Sequence, residues 1–348
     1  MNKTTVKQFL QKHPKLLYVQ KCISGLRSPD FIRFMSGEGS NVLRLESHGQ
    51  KNGNAVVYKI EINTSTDGFF ALFRATLNYL YFADLLHMKP VVIWGKQVPY
   101  AETYTFQGTD NAFAYYFKQT ASIAEAEILQ SKYMVQSMWS HQSIAENIKE
   151  QAQGYDRTEN YLRKMGETAR RHISFNEITN QKLCKDLESL SFNGRVLGLH
   201  VRGTDYRTTY KNHPVMAANE DYFAIVDHLF AEKAFEQIFL ATDDLEILHA
   251  FIERYGECVK YYQDVTRGDE KTSVAFSRLK REHHHYLLGY EVLRDAYTLS
   301  RCEGFIGNLS QVSIGTQILK YSRSESFKFI NIVDRGIHKQ GQKFAPPQ

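Results

Sequence analysis

The chain has 348 residues, 43% of them hydrophobic, and a formal net charge of +5. That length buries one large or two medium cores, and so mild a charge, read as evenly spread, argues against nucleic acid as a partner. Cys22, Cys184, Cys258 and Cys302 lack paired or CxxC spacing, which points to reduced thiols rather than a disulfide frame or a metal centre.

No uninterrupted apolar run is long enough to span a bilayer, and the first residues lack an apolar leader core, so neither a span nor a secretion signal is expected. Residues 1–50 are hard to read. Gly37-Glu38-Gly39-Ser40 imitates a dinucleotide loop but lacks the preceding strand and a third glycine. Asn52-Gly53, between Val42-Leu43-Arg44-Leu45 and the run Val56 to Ile60, predicts a turn joining two strands. Asp67 is placed to cap a long apolar helix from Phe69 to Met88; Pro90 ends it, and Val91 to Trp94 reads as the next strand. That strand–helix–strand start is a first Rossmann-like half. Residues 96–120, rich in Tyr and Phe, read as a loop over a cleft that could carry acceptor contacts. Residues 121–190 read as helices.

The second half opens near Arg195. Val196 to Val201 has the apolar character of a buried parallel strand, and it delivers His200, Arg202 and Asp205 at its C-terminal end, where ligands sit in open α/β sheets. An imidazole and a fixed cation there suit a phosphate or diphosphate; the alternative is an Arg–Asp pair stitching a loop to its own strand. Gln237 to Thr242 is a second strand, followed by a helix from Leu245 to Tyr255 that Asp243 or Asp244 could cap. His284 to Arg301 reads as a helix, with Leu288, Val292, Asp295 and Leu299 on one face. A carboxylate in an apolar stripe must meet donors. These are either an arginine such as Arg294 or Arg301, which point to other faces, or a base edge with adjacent N–H groups. Guanine offers such an edge and adenine does not. Finally, a strand beginning at Gly304 meets a helix from about Ser310 to Tyr321, whose free N–H groups, dipole and Ser310 hydroxyl form an anion cradle. His283-His284-His285 reads as a helix start rather than a metal group, and Arg278, Lys280 and Arg281 as a solvated basic face.

His200-Val201-Arg202-x-Thr204-Asp205, Ala241-Thr242-Asp243-Asp244, Asp295 and Ser310-Gln311-Val312 together resemble the motif regions of the α-1,6/protein-O-fucosyltransferase superfamily. The clear resemblance runs from Arg195 to Leu319, with a fainter echo from Asp67 to Arg74. It implies an α/β, GT-B-like fold: two Rossmann-like domains facing a cleft, with residues 1–190 on the acceptor side, 191–335 holding a nucleotide-sugar, and 336–348 as a tail. It implies that His200 and Asp295 contact guanine, that Arg202 meets the β-phosphate, and that Ser310, Gln311 and Val312 lie at the diphosphate. Asp243, Asp67 and Arg74 form a second tier, and Asp205 is a candidate base. The α-1,6 branch has a second arginine where this chain has Gly203.

The expected activity is inverting, metal-independent transfer of fucose from GDP-fucose to a sugar hydroxyl of a surface glycan or lipid-linked oligosaccharide, with no cofactor. Another nucleotide-sugar donor, or a degenerate homologue that binds without turnover, are the alternatives. The expected setting is the bacterial cytoplasm, with peripheral contact at the inner membrane.

Overall fold

The computed structural model describes residues 3–36, 44–137, 158–203, 209–268 and 281–342. Three helices come first: α1 (Lys3–Lys12), α2 (Pro14–Gly25) and α3 (Pro29–Ser36). The first sheet is built from β1 (Val57–Ile62), the long helix α4 (Phe69–Leu86), β2 (Lys89–Trp94), the short α5 (Glu125–Ile128) and β3 (Met134–Gln136). Its order is β2-β1-β3, parallel throughout. Helices α6 (Glu159–His172) and α7 (Glu177–Ser189) lead to the second sheet. This comprises β4 (Val196–Val201), α8 (Asn219–Ala231), β5 (Gln237–Thr242), α9 (Leu245–Tyr255), β6 (Val259–Lys260), α10 (His284–Arg301), β7 (Gly304–Asn308), α11 (Gln311–Ser322) and β8 (Phe329–Val333). The strands stand in the order β6-β5-β4-β7-β8, again all parallel. Two parallel sheets wrapped by helices are the α/β architecture expected.

All six residues of β4 are buried, as a central strand covered on both faces requires. From β4 the chain runs outward through β5 to β6, then returns to the other side of β4 for β7 and β8. The strand order therefore reverses between β4 and β7, and the crevice at that switch point opens at the strands' C-terminal ends. His200 and Arg202 leave β4 there, and Ser310 leaves β7 there.

The largest core cluster joins both halves. Phe69, Trp94 and Phe117 pack with Met165 of α6, Leu293 of α10 and Ile318 of α11. The approach of α11 to α4 requires a glycine, since a Cβ at Gly315 would overlap the Phe70 ring. Gly315→Ala should therefore lower stability by about 1–3 kcal/mol, the usual cost of overpacking a well-filled core. A thermal melt unchanged from the parent would show that α4 and α11 can separate freely.

Four expectations need correction. Asn52 does make a turn, at φ 53°, but no hairpin forms. Val42 and Leu43 lie outside the described residues, and the segment after them bridges Met134 and Ser131 instead, while β1 takes parallel partners. Gly68, not Asp67, is the N-cap of α4, and no side chain caps that helix. The helical reading of residues 121–190 missed β3, which completes the first sheet. Most rings of the 96–120 segment are core: Tyr100, Phe113, Tyr115, Tyr116 and Phe117 are buried, whereas Tyr104 is exposed.

Candidate active site

His200, the last but one residue of β4, has only 5% of its surface exposed. Its Nδ1 lies 3.3 Å from the hydroxyls of both Ser310 and Ser313, across the β4–β7 switch point. Burial, reinforced by the Arg202 charge and weakly opposed by Asp243 and Asn308, pushes its pKa down to about 4. The ring is neutral near pH 7 and anchors the start of α11. Ser310 caps that helix, its Oγ accepting the Ser313 N–H at 3.1 Å. From Ser313 to Lys320 every residue of α11 is buried, whereas Gln311 and Val312 are half-buried. At the switch-point end of α11 the half-buried residues are those of the first turn, where the positive end of the helix dipole lies.

Arg202 follows β4 and is half-buried, its Nη1 2.9 Å from Asp243 Oδ2. Asp243 also accepts the Gly203 N–H at 2.9 Å. Thus the Arg–Asp pair weighed as an alternative exists, yet it joins two strand ends rather than a loop to its own strand. The adjacent Asp244 is the cap of α9, accepting from the N–H groups of Glu246 and Ile247 at 2.9 and 3.2 Å. A Cβ on Gly203 would run into the side chain of Asp244, so a second arginine has no room here. Gly203→Ala should cost about 1 kcal/mol or more by displacing that cap. Circular-dichroism melts check this, and an unshifted midpoint would mean that Asp244 yields without cost.

The first half contributes Tyr100, which sequence reading missed. Its hydroxyl accepts the Phe69 N–H at the start of α4, at 2.7 Å. Burial raises its pKa to about 12, and the charges of Arg202 and Asp67 act on it in opposite directions. Arg74, further along α4, is half-buried, and its Nε has no hydrogen-bond partner among the described residues.

Asp295 lies on α10 in the stripe expected, half-buried like Val292, with Leu288 and Leu299 buried beside it. It makes no hydrogen bond or salt bridge with the described residues. The neighbouring Arg294 is spent elsewhere, on Asp186 at 2.9 Å and Asp264 at 2.7 Å, and Arg301 packs on Tyr297. Burial pushes the Asp295 carboxyl up to about 7, with Arg294 and Arg267 opposing. Arg267 was also missed. Its Nε donates to the Thr242 carbonyl at 3.2 Å, directly before Asp243, so one arginine links the surroundings of Asp295 to the strand end holding Arg202. No local pattern marked Arg267, whereas the Ser310-x-x-Ser313 spacing was a usable capping signal.

Asp205, Arg278 and Lys280 lie outside the described residues. His283 is the N-cap of α10 at φ 54°, so the histidine run is a helix start, and Arg281 pairs with Glu291. Among the described residues no group of three or more His, Cys, Asp or Glu side chains could hold a metal ion.

Comparison with known proteins decides the family. Residues 114–313 match the model of the alpha-(1,6)-fucosyltransferase N- and catalytic domains, more than half the chain. The chain belongs to this family. It is a glycosyltransferase of the fucosyltransferase type. No curated protein matches by sequence. Among solved structures it is similar to the fucosyltransferase NodZ soaked with GDP-fucose, at 16% identity, TM-score 0.44, covering 77% of this chain and 92% of that one. NodZ from Bradyrhizobium also matches, at 15% identity, TM-score 0.40 and the same coverages. POFUT1 without ligand matches at 8% identity and TM-score 0.43, covering 82% of this chain and 98% of that one.

Proposed function

We propose that this fucosyltransferase takes GDP-fucose as donor and transfers fucose, with inversion and without a metal ion, to a sugar hydroxyl of a surface glycan or lipid-linked oligosaccharide. One observation carries the donor assignment. Asp295 is a carboxylate in an apolar stripe, without hydrogen bond or salt bridge among the described residues, while both terminal nitrogens of the neighbouring Arg294 pair with Asp186 and Asp264 instead. Such a group calls for a ligand with paired N–H donors, and guanine's N1–H and N2–H₂ form that pair.

Arg202 and the first turn of α11 then supply the positive field for a leaving diphosphate, the task a divalent cation performs elsewhere. Gln311 and Val312 form that turn and meet the diphosphate with Ser310, its cap, while His200 joins Asp295 at the guanine and Asp243 orients Arg202. Asp67 and Arg74 belong to the acceptor-side domain, 1–190, which faces the donor domain, 191–335. A carboxylate such as Asp205 or Asp67 would take the proton from the acceptor hydroxyl as it attacks the far face of the fucose C1.

No helix among the described residues is long and apolar enough to cross a membrane. We place the enzyme in the bacterial cytoplasm, in contact with the inner membrane when it meets a lipid-linked acceptor.

The test is calorimetry with GDP, ADP and UDP, followed by turnover of GDP-fucose, read as fucose release. GDP should bind at least about tenfold tighter than ADP. Equal affinities would remove the guanine assignment, and tight GDP binding without turnover on any glycan would favour a binding protein over an enzyme.

A further inference from the structure

Residues 3–36 contain seven basic side chains and one acidic one, Asp30, in a chain whose whole net charge is +5. The rest is therefore close to neutral, which corrects the even spread of basic residues read from the totals. The same short segment carries more than half of the large exposed hydrophobics among the described residues. Val6 and Phe9 of α1 are exposed, as are Leu16, Val19 and Ile23 of α2 and Leu26 just after it. The last four recur at i, i+3, i+7 and i+10, one face of a helix. Ile23 and Leu26 are 65% and 64% exposed.

This face does not hold the segment to the molecule. Tyr18 on α2 and Phe31 on α3 do so, both buried, with Phe31 stacked on Phe82 of α4 at 5.6 Å. Asp30 points the same way, accepting from Tyr81 and Lys164 at 2.8 Å. The one acidic group is thus used inward, while Lys7 and Lys12 of α1 and Lys15 at the start of α2 are exposed.

We propose that α1 and α2 dock this face on an anionic lipid bilayer, with the apolar stripe at the boundary between headgroups and acyl chains and the lysines among lipid phosphates. Charge complementarity selects this occupant. A symmetric dimer would set the same lysine-rich patch against itself, like charge on like. The inference rests on the membrane contact proposed above and on nothing about the donor.

The test is co-sedimentation of the full chain with vesicles of phosphatidylcholine alone and of phosphatidylcholine with phosphatidylglycerol. Binding should occur on the anionic vesicles only and weaken in high salt. Lys7→Gln/Lys12→Gln/Lys15→Gln should weaken it on the order of a hundredfold, at about fivefold for each charge removed. Ile23→Ser/Leu26→Ser should release the protein as well. Both variants should keep the parent's thermal melt and GDP affinity, so a failure here stays separate from a failure of the donor assignment. Three results would overturn the proposal: no binding to anionic vesicles, equal binding to neutral ones, or a concentration-dependent dimer dissolved by Ile23→Ser/Leu26→Ser.

Discussion

Asp295→Asn should bind GDP roughly 2–4 kcal/mol more weakly than the parent chain, yet melt higher at about pH 8. The two effects share one cause. Burial pushes the Asp295 carboxyl up to about 7, against about 3.9 for an aspartate in an unfolded chain. Between those values the folded state holds a proton that the unfolded state releases. Its contribution to stability is fully present below about pH 4 and is lost as the pH rises through about 7. Asparagine is neutral throughout, so the variant's gain over the parent should grow across that window and vanish below it. Ligand binding runs the other way. The ionised carboxylate is the acceptor that guanine's N–H groups require, so GDP affinity of the parent should rise from about pH 6 to about pH 8. The variant should show no such rise, because its amide presents a donor to those same groups. Calorimetry and thermal melts across this range check both slopes. Undiminished GDP affinity in Asp295→Asn would place guanine recognition elsewhere.

The second half was the more legible in sequence for a physical reason. Strands buried on both faces, such as Val196–Val201 and Gln237–Thr242, read as short apolar runs, and polar residues at their ends mark where the sheet opens. The Asp295 stripe was legible because one carboxylate interrupted a helical repeat of apolar residues.

The first half gave weaker signals. Met134–Gln136 is three residues long, too short to show a period, and it becomes a strand only because β1 offers it an edge. Asn52-Gly53 predicted its turn correctly but not the pairing, since β1 lies between β2 and β3 and takes parallel partners on both sides. Tyr100 and Arg267 act through tertiary proximity alone, to residues about thirty and twenty-five positions away. The outward face of α1 and α2 was missed differently: its lysines read as part of an evenly spread charge, and its apolar residues fall in a stretch without a clear period.

Arg202→Lys should reduce fucose transfer on the order of 10²–10³-fold while leaving the melting midpoint nearly unchanged. The structure gives a reason for each half of that statement. Arg202 follows the end of β4 and pairs with Asp243 at 2.9 Å. Lysine keeps a charge for that carboxylate, and the hydrogen bond from the Gly203 N–H to Asp243 is a backbone contact that the substitution does not remove. What lysine loses is the planar fork that can grip Asp243 and a phosphate oxygen at once in fixed directions. A contact that strengthens as the departing diphosphate gains charge acts on the transition state more than on the bound donor. The rate constant kcat should therefore fall well beyond any loss of GDP-fucose affinity. Asp243→Asn provides the control. If Asp243 only orients the arginine, its loss should lower kcat less than Arg202→Lys does, with donor affinity nearly intact. Turnover, calorimetry and melts on the same preparations separate these outcomes. An Arg202→Lys enzyme that melted early but whose folded fraction turned over normally would make Arg202 a brace between β4 and β5, with charge on the leaving group stabilised by other residues.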